Sequence, residues 1–516
     1  MSKDGLNKKQ LIISSGMAII SFLITVFIGF WTSPFIVSKL GAVAYGFSTL
    51  GGNFTTYMSL ITVASNSFAA RYITIALQKN DTELASKYFT SVFIANVVMA
   101  VIMLIPITTI IALIDKIFSI PEELVLDVRV QWGILFCSWI IELLFRVYST
   151  STFAKNRLDI DHGLTAVSNV IRLAVIVVLF NVFEPRLWYI GVAALACTIF
   201  IDVGFVIYKR KLMPEVLFNR RYFDFKCIRT LFTKGIWNSI NELASLLMNG
   251  FDLVITNWVV NATSMGHYSI AQTLPTYLQS LMYTICGIFN PNLTMSYAQG
   301  RNDQVRDGLK FAMKFNSLLL MVPLMGFFVY GKDFYRLWQY SLDENTIRII
   351  FILSTLVILP MISGILVQPL LTVNTVTAKL KVPVFVNIII GISNIVIEII
   401  LVKTTNLGVY AIAGVSSALL LIRNYLFYPI YAARNLKLPA WTFYPTIIKG
   451  SIVTVIVFVF LYGTHMFLKI NSWMSLIIYA VIFGIAAELL VFLTLLSSEE
   501  RKSVKIQISQ KLRKRG

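Results

Sequence analysis

Charge is scarce in this chain. Asp, Glu, Lys and Arg make up 13% of its 516 residues, against about 25% in a soluble domain. Histidine and cysteine are scarcer still, at three and four. Cys137, Cys197, Cys227 and Cys286 have neither metal-ligand spacing nor a secreted disulfide pattern, so free thiols are expected. His162, His267 and His465 are scattered, and no metal site is expected. There is no phosphate-binding glycine-rich loop, which argues against ATP hydrolysis. No pair of carboxylates sits in a soluble segment large enough to form an active site, so the chain reads as a non-enzyme.

Apolar residues are what the chain has in excess. They make up 57%, and mean hydropathy is +0.76. About fourteen stretches are long enough to span a bilayer of about 30 Å, each needing about 20 residues. They fall near 11–36, 43–68, 88–113, 130–153, 163–183, 187–208, 236–259, 266–294, 310–330, 347–375, 384–403, 408–431, 446–468 and 473–496. The pattern predicts an all-α polytopic membrane protein of about 14 transmembrane helices. The first stretch is too long for the core of a cleavable signal peptide and reads as a retained span.

The net charge of +19 invites a nucleic-acid partner. Its distribution argues against one. With both termini cytoplasmic, most Lys and Arg fall on inside segments, including Lys209, Arg210, Lys211, Arg220 and Arg221. That is the positive-inside rule, and it predicts a multi-pass protein of the cell membrane. Asp115, Glu122, Glu123 and Asp127 share an outside loop. The basic tail, Arg501 to Arg515, reads as a contact with the anionic bilayer surface.

A polar stripe recurs along the chain. Ser14, Ser21, Thr25 and Thr32 are spaced 7, 4 and 7, and Asn238, Ser245, Asn249 and Thr256 repeat that spacing 224 residues later. At about 100° per residue each set holds one narrow helix face. Glu242 and Asp252 fall on the second stripe. Lipid rejects such a face, so both stripes are expected to line one wet cavity between two related halves. Spans 2 and 8 carry similar stripes, Ser48, Thr55, Ser59, Thr62 and Asn66, and Ser269, Gln272, Thr276, Ser280 and Tyr283. The alternative is that these residues join helices by hydrogen bonds.

Other matches keep the same order. Val37 and Tyr45 match Val260 and Tyr268, Asn80-Asp81 matches Asn302-Asp303, and Phe89 matches Phe311. Two six-helix lobes related by an internal repeat are expected, at 1–208 and 236–433. A basic cytoplasmic linker, 209–235, joins them. Helices 13 and 14 follow in 434–498, then the basic tail 499–516.

The turn Leu40-Gly41-Ala42-Val43-Ala44-Tyr45-Gly46-Phe47 resembles the Leu-Gly, then Tyr-Gly-aromatic signature of polysaccharide flippases. Met265-Gly266-His267-Tyr268-Ser269-Ile270-Ala271 resembles the turn of their second half. These flippases belong to the multidrug, oligosaccharidyl-lipid and polysaccharide (MOP) exporter superfamily. The resemblance implies two six-helix lobes in a V and alternating access of a central cavity bordered by helices 1, 2, 7 and 8. It implies a substrate too, an isoprenoid diphosphate-linked oligosaccharide moved from the cytoplasmic to the outer leaflet. Such units feed O-antigen (lipopolysaccharide), capsule or exopolysaccharide synthesis, with glycosyltransferases and a polysaccharide polymerase as pathway partners. Fourteen spans also resemble the lipid II flippases.

A diphosphate needs cations, and Arg offers forked donors that stay charged. Arg146, Arg172 and Arg423 lie within apparent spans, each at a cost of about 2.5–3.5 kcal/mol on insertion scales. They are candidate substrate contacts, with Asn238, Asn249 and Thr25 from the stripes. Arg172 has no acidic neighbour in its own helix, whereas Arg146 can pair with Glu142. The alternative is that each Arg pairs with Glu242, Asp202 or Glu398 across a helix contact. Asp252 and Glu242 are candidate sites for coupling to a Na⁺ or H⁺ gradient, and no bound cofactor is expected. Two other functions compete: a cation-coupled drug or metabolite exporter of the same superfamily, and an integral-membrane glycosyltransferase or polymerase. A dominant carboxylate cluster in one lobe would favour the exporter. The enzyme would be expected to show a substantial outer loop with acid–base residues, and no outside loop is long enough.

Overall fold

The computed structural model describes residues 8–377, 379–497 and 500–501. The tail 502–516, expected to meet the bilayer surface, lies outside the described residues. Among those described the regular structure is helical, with no strand. The chain is a multi-pass membrane protein. Twelve helices are long and apolar enough to cross a membrane. The expected spans 1 and 2 are fused in one 71-residue helix, and the expected span 8 is too polar to count.

Two compact units are formed, residues 1–270 and 271–516. The first holds α1 (Lys8–Gln78), α2 (Thr82–Ala112), α3 (Ile114–Ile117), α4 (Val125–Phe145), α5 (Thr150–Ala154), α6 (Leu158–Val182), α7 (Trp188–Leu212), α8 (Phe225–Asn249) and α9 (Asp252–Ile255). α10 (Ala262–Gly287) begins in it. The second holds α11 (Asn290–Ala298), α12 (Asn302–Trp338), α13 (Glu344–Val376), α14 (Lys381–Thr404), α15 (Val409–Ile422), α16 (Tyr428–Asn435), α17 (Tyr444–His465) and α18 (Trp473–Leu495).

The turn signature has a backbone cause. α1 kinks at Gly41, whose φ of 83° is left-handed and suits glycine. The Asn80-Asp81 turn works differently. Asn80 takes the left-handed conformation, and the Asp81 carboxylate accepts from the Leu84 N–H at 2.8 Å, capping α2. In the matching turn Gly300 is left-handed instead, and Asp303 pairs with Arg306 at 2.9 Å.

The linker is a packed part of the first unit. Met213, Val216, Cys227 and Leu231 are buried with Tyr88, Phe89 and Val147. Backbone N–H groups of Leu217 and Asp224 donate to Ser86 and Ser91 at 3.0 and 2.9 Å. The Lys209 ammonium lies over the Phe89 ring and donates to the Val216 carbonyl. In the second unit, Pro360 lacks the N–H that would bond the Leu356 carbonyl within α13. Ser417 of α15 donates to that carbonyl instead.

Candidate functional site

The polar residues of α6 form the site of the first unit. Asp161, Thr165, Ser168, Asn169 and Arg172 share a face about 100° wide. The exposed Val167, Val170 and Val178 occupy the opposite side, as lipid requires. Asn169 donates to Thr25 of α1 at 2.9 Å, and the Cys197 thiol of α7 donates to the Ser168 carbonyl at 3.0 Å. Arg172 is exposed on this polar face. Among the described residues it makes no ion pair and no side-chain hydrogen bond.

Within the first unit neither Asp202 nor Glu242 pairs with Arg172 among the described residues. Asp202 of α7 is buried in electrostatic range of Glu142 and Arg146. Glu142 and Arg146 pair at 2.9 Å with both side chains open. Asp161 also feels Arg146. Glu142, Asp161 and Asp202 therefore gather round one guanidinium. Glu398 belongs to the second unit, where its Oε1 accepts from Asn394 at 2.7 Å and Ser416 at 2.9 Å. Glu242 is exposed on α8.

The stripes of spans 1 and 2 are largely engaged in helix contacts, whereas Thr276, Ser280 and Tyr283 of the span 8 stripe are exposed. Ser21 and Thr32 are buried, and Thr25 takes the Asn169 bond while donating to the Ser21 carbonyl. In span 2, Ser48 accepts from Gln131 at 2.7 Å, Ser59 from Trp139 at 2.9 Å, and Asn66 meets Asn96 at 3.2 Å. The stripe of α8 breaks at Gly250-Phe251. Before the break Ser245 is exposed, and after it Asp252 and Thr256 are buried. The Asp252 carboxylate accepts from Tyr268, the turn-signature tyrosine, at 2.7 Å. The side chains of Asn238 and Asn249 lie outside the described residues.

In the second unit, Arg423 opens a π-helical turn, Arg423–Phe427. Its guanidinium donates to Asn387 and Asn424 at 3.3 Å and lies over the Tyr428 ring. Tyr283 of α10 is within its electrostatic range. Tyr283 also lines a cavity of about 270 Å³ with Asn290, Gln368 and Thr372. Arg423 is thus a held cation beside a polar cavity, while Arg172 is an open one.

Residues 13–295 match the family described as "Polysaccharide biosynthesis protein". The chain belongs to that family. Over 484 residues it is 28% identical to the uncharacterized membrane protein EpsK of Bacillus subtilis (strain 168), across 94% of this chain and 95% of that one. Its fold is similar to that of an inward-facing multidrug resistance MATE family transporter of the MOP superfamily. The TM-score is 0.67 at 12% identity, over 83% of this chain and 98% of that chain. It is also similar to the lipid II flippase MurJ in an inward closed conformation. There the TM-score is 0.64 at 16% identity, over 93% of this chain and 98% of that chain.

Within this polysaccharide biosynthesis protein, the α6 face was the feature missed in the sequence. Its spacing of i, i+4, i+7, i+8 and i+11 is visible there, but at the repeat offset of 222 only Asn387 and Asn394 are polar. The cavity by Tyr283 has no local signal at all, because residues 283–294 and 368–376 meet only in the fold.

Proposed function

We propose that the protein flips an isoprenoid diphosphate-linked oligosaccharide from the cytoplasmic to the outer leaflet of the cell membrane, by alternating access, for surface polysaccharide synthesis. Arg172 carries the reading. Holding a guanidinium within the bilayer costs about 2.5–3.5 kcal/mol unless water or an anion compensates. Its side chain is open, turned away from the lipid-facing valines, and outside any ion pair among the described residues. A diphosphate supplies the missing anion, and the fork of an Arg matches its oxygens. Arg146, shared among carboxylates, is the second cation of that unit. Both termini are cytoplasmic in this reading, and an ion gradient drives the cycle.

Reconstitution tests it. Proteoliposomes with the full chain and undecaprenyl diphosphate-linked N-acetylglucosamine are expected to expose the sugar to an impermeant lectin faster than protein-free vesicles. Equal rates contradict the proposal.

A second reading, a cation-coupled exporter of the same superfamily, is favoured by the gathering of Glu142, Asp161 and Asp202. It predicts pH-driven uptake of a lipophilic cation such as ethidium, lost in Asp202→Asn and untouched by Arg172→Ala.

A further inference from the structure

The cavity of the second unit is built for hydrogen bonding without charge. α10 ends at Gly287, and Pro291 starts a new course at the first turn of α11. That break turns Tyr283, Asn290 and Thr294 towards α13, which presents Gln368, Thr372 and Thr375 next to its Pro369. None of the residues lining the cavity is ionisable to a formal charge near neutral pH. Asn290 accepts from Thr372 at 2.8 Å and keeps its amide N–H groups. Among the described residues the Gln368 and Thr375 side chains make no hydrogen bond. Tyr283 is 51% exposed and brings an aromatic ring to the same lining.

These features select a ligand class. At about 270 Å³ the space far exceeds a water, whose share of liquid is about 30 Å³. It falls just below the about 300–1,000 Å³ of pockets for drug-sized ligands. An apolar group there strands the Asn290 and Gln368 amides, which is unfavourable. A phosphate requires a cation, and no Arg, Lys or His is among the residues lining the cavity. A sugar ring fits: hydroxyls on its edge for the amides and threonines, and C–H groups on its face for Tyr283. We propose that this cavity binds a single sugar ring of the lipid-linked glycan. The proposal rests on the flippase reading and adds to it a sugar subsite built within the second unit.

Binding to the purified full-length protein separates the two. The probes are undecaprenyl diphosphate and its glucosyl, galactosyl and N-acetylglucosaminyl derivatives, followed by intrinsic tryptophan fluorescence. At least one sugar-bearing probe is expected to bind about tenfold more tightly than the bare lipid. Gln368→Ala, which removes an amide, and Thr375→Trp, which fills the space, are expected to abolish that difference. Both should bind the bare lipid as the unmodified protein does, which also shows that they are folded. Variants that keep the sugar preference overturn the proposal. So does an unmodified protein that binds all four probes equally, and that result leaves the flippase reading standing. Failure to bind any probe removes both.

Discussion

Gly46 and Gly266 meet backbone to backbone. A Cβ on Gly46 would lie 2.9 Å from the Gly266 Cα, and one on Gly266 would lie 2.6 Å from the Ala42 carbonyl oxygen. Each glycine comes from one of the two turn motifs that mark the internal repeat. The signature therefore records a close approach of two turns, in which the nearest atoms to each added Cβ are backbone.

Gly266→Ala and Gly46→Ala are each expected to lower stability by about 1–3 kcal/mol, the usual effect of overpacking. Gly52→Ala is the control, since nothing lies within 4 Å of its added Cβ. It should be neutral or slightly stabilising, because Ala is the better helix former. Thermal unfolding of the detergent-solubilised protein decides the matter. Equal melting temperatures for all three variants would mean that the turns do not pack as described.

The docked linker gives a second prediction. Phe89→Ala removes the ring beneath Lys209 and opens the cluster holding Met213 and Val216. A loss of about 3–5 kcal/mol is usual for such a change. Trypsin should then cut after Arg220 and Arg221 much faster than in the unmodified protein. An unchanged digestion rate would show that the linker is held by something else.

Asp252 separates two roles. As the acceptor for Tyr268 it is a structural pin, and Tyr268→Phe should lower stability by about 1–3 kcal/mol, the cost of leaving a buried polar group without its bond. Asp252→Asn keeps an acceptor, so export of polysaccharide should persist. Loss of export with a normal amount of Asp252→Asn protein would instead identify Asp252 as a coupling site.

The membrane class and both turns were legible in the sequence, because length and hydropathy report spans, and Gly41 and Asn80 occupy left-handed backbone. What the stripes face was not. Thr32 donates to the Ile28 carbonyl at 2.6 Å and Thr256 to the Asp252 carbonyl at 2.6 Å, each one turn back in its own helix. A hydroxyl satisfied in that way can sit in a dry contact, so the spacing of Ser and Thr does not separate a wet face from a packed one. Arg172 differs because no local carbonyl satisfies a guanidinium's five donors. Similarity along the repeat was also an uneven guide. Phe89 is fully buried under the linker, whereas its match Phe311 is exposed.

The central claim is that Arg172 receives the substrate's diphosphate. The direct measurement is surface polysaccharide in cells whose export depends on this protein, with the protein level in the membrane measured in parallel. Arg172→Ala is expected to abolish export at a near-normal protein level, since among the described residues no carboxylate loses a partner. Arg172→Lys should keep part of the activity, because the charge survives while the fork is lost. An abundant Arg172→Ala protein that exports normally would contradict the account.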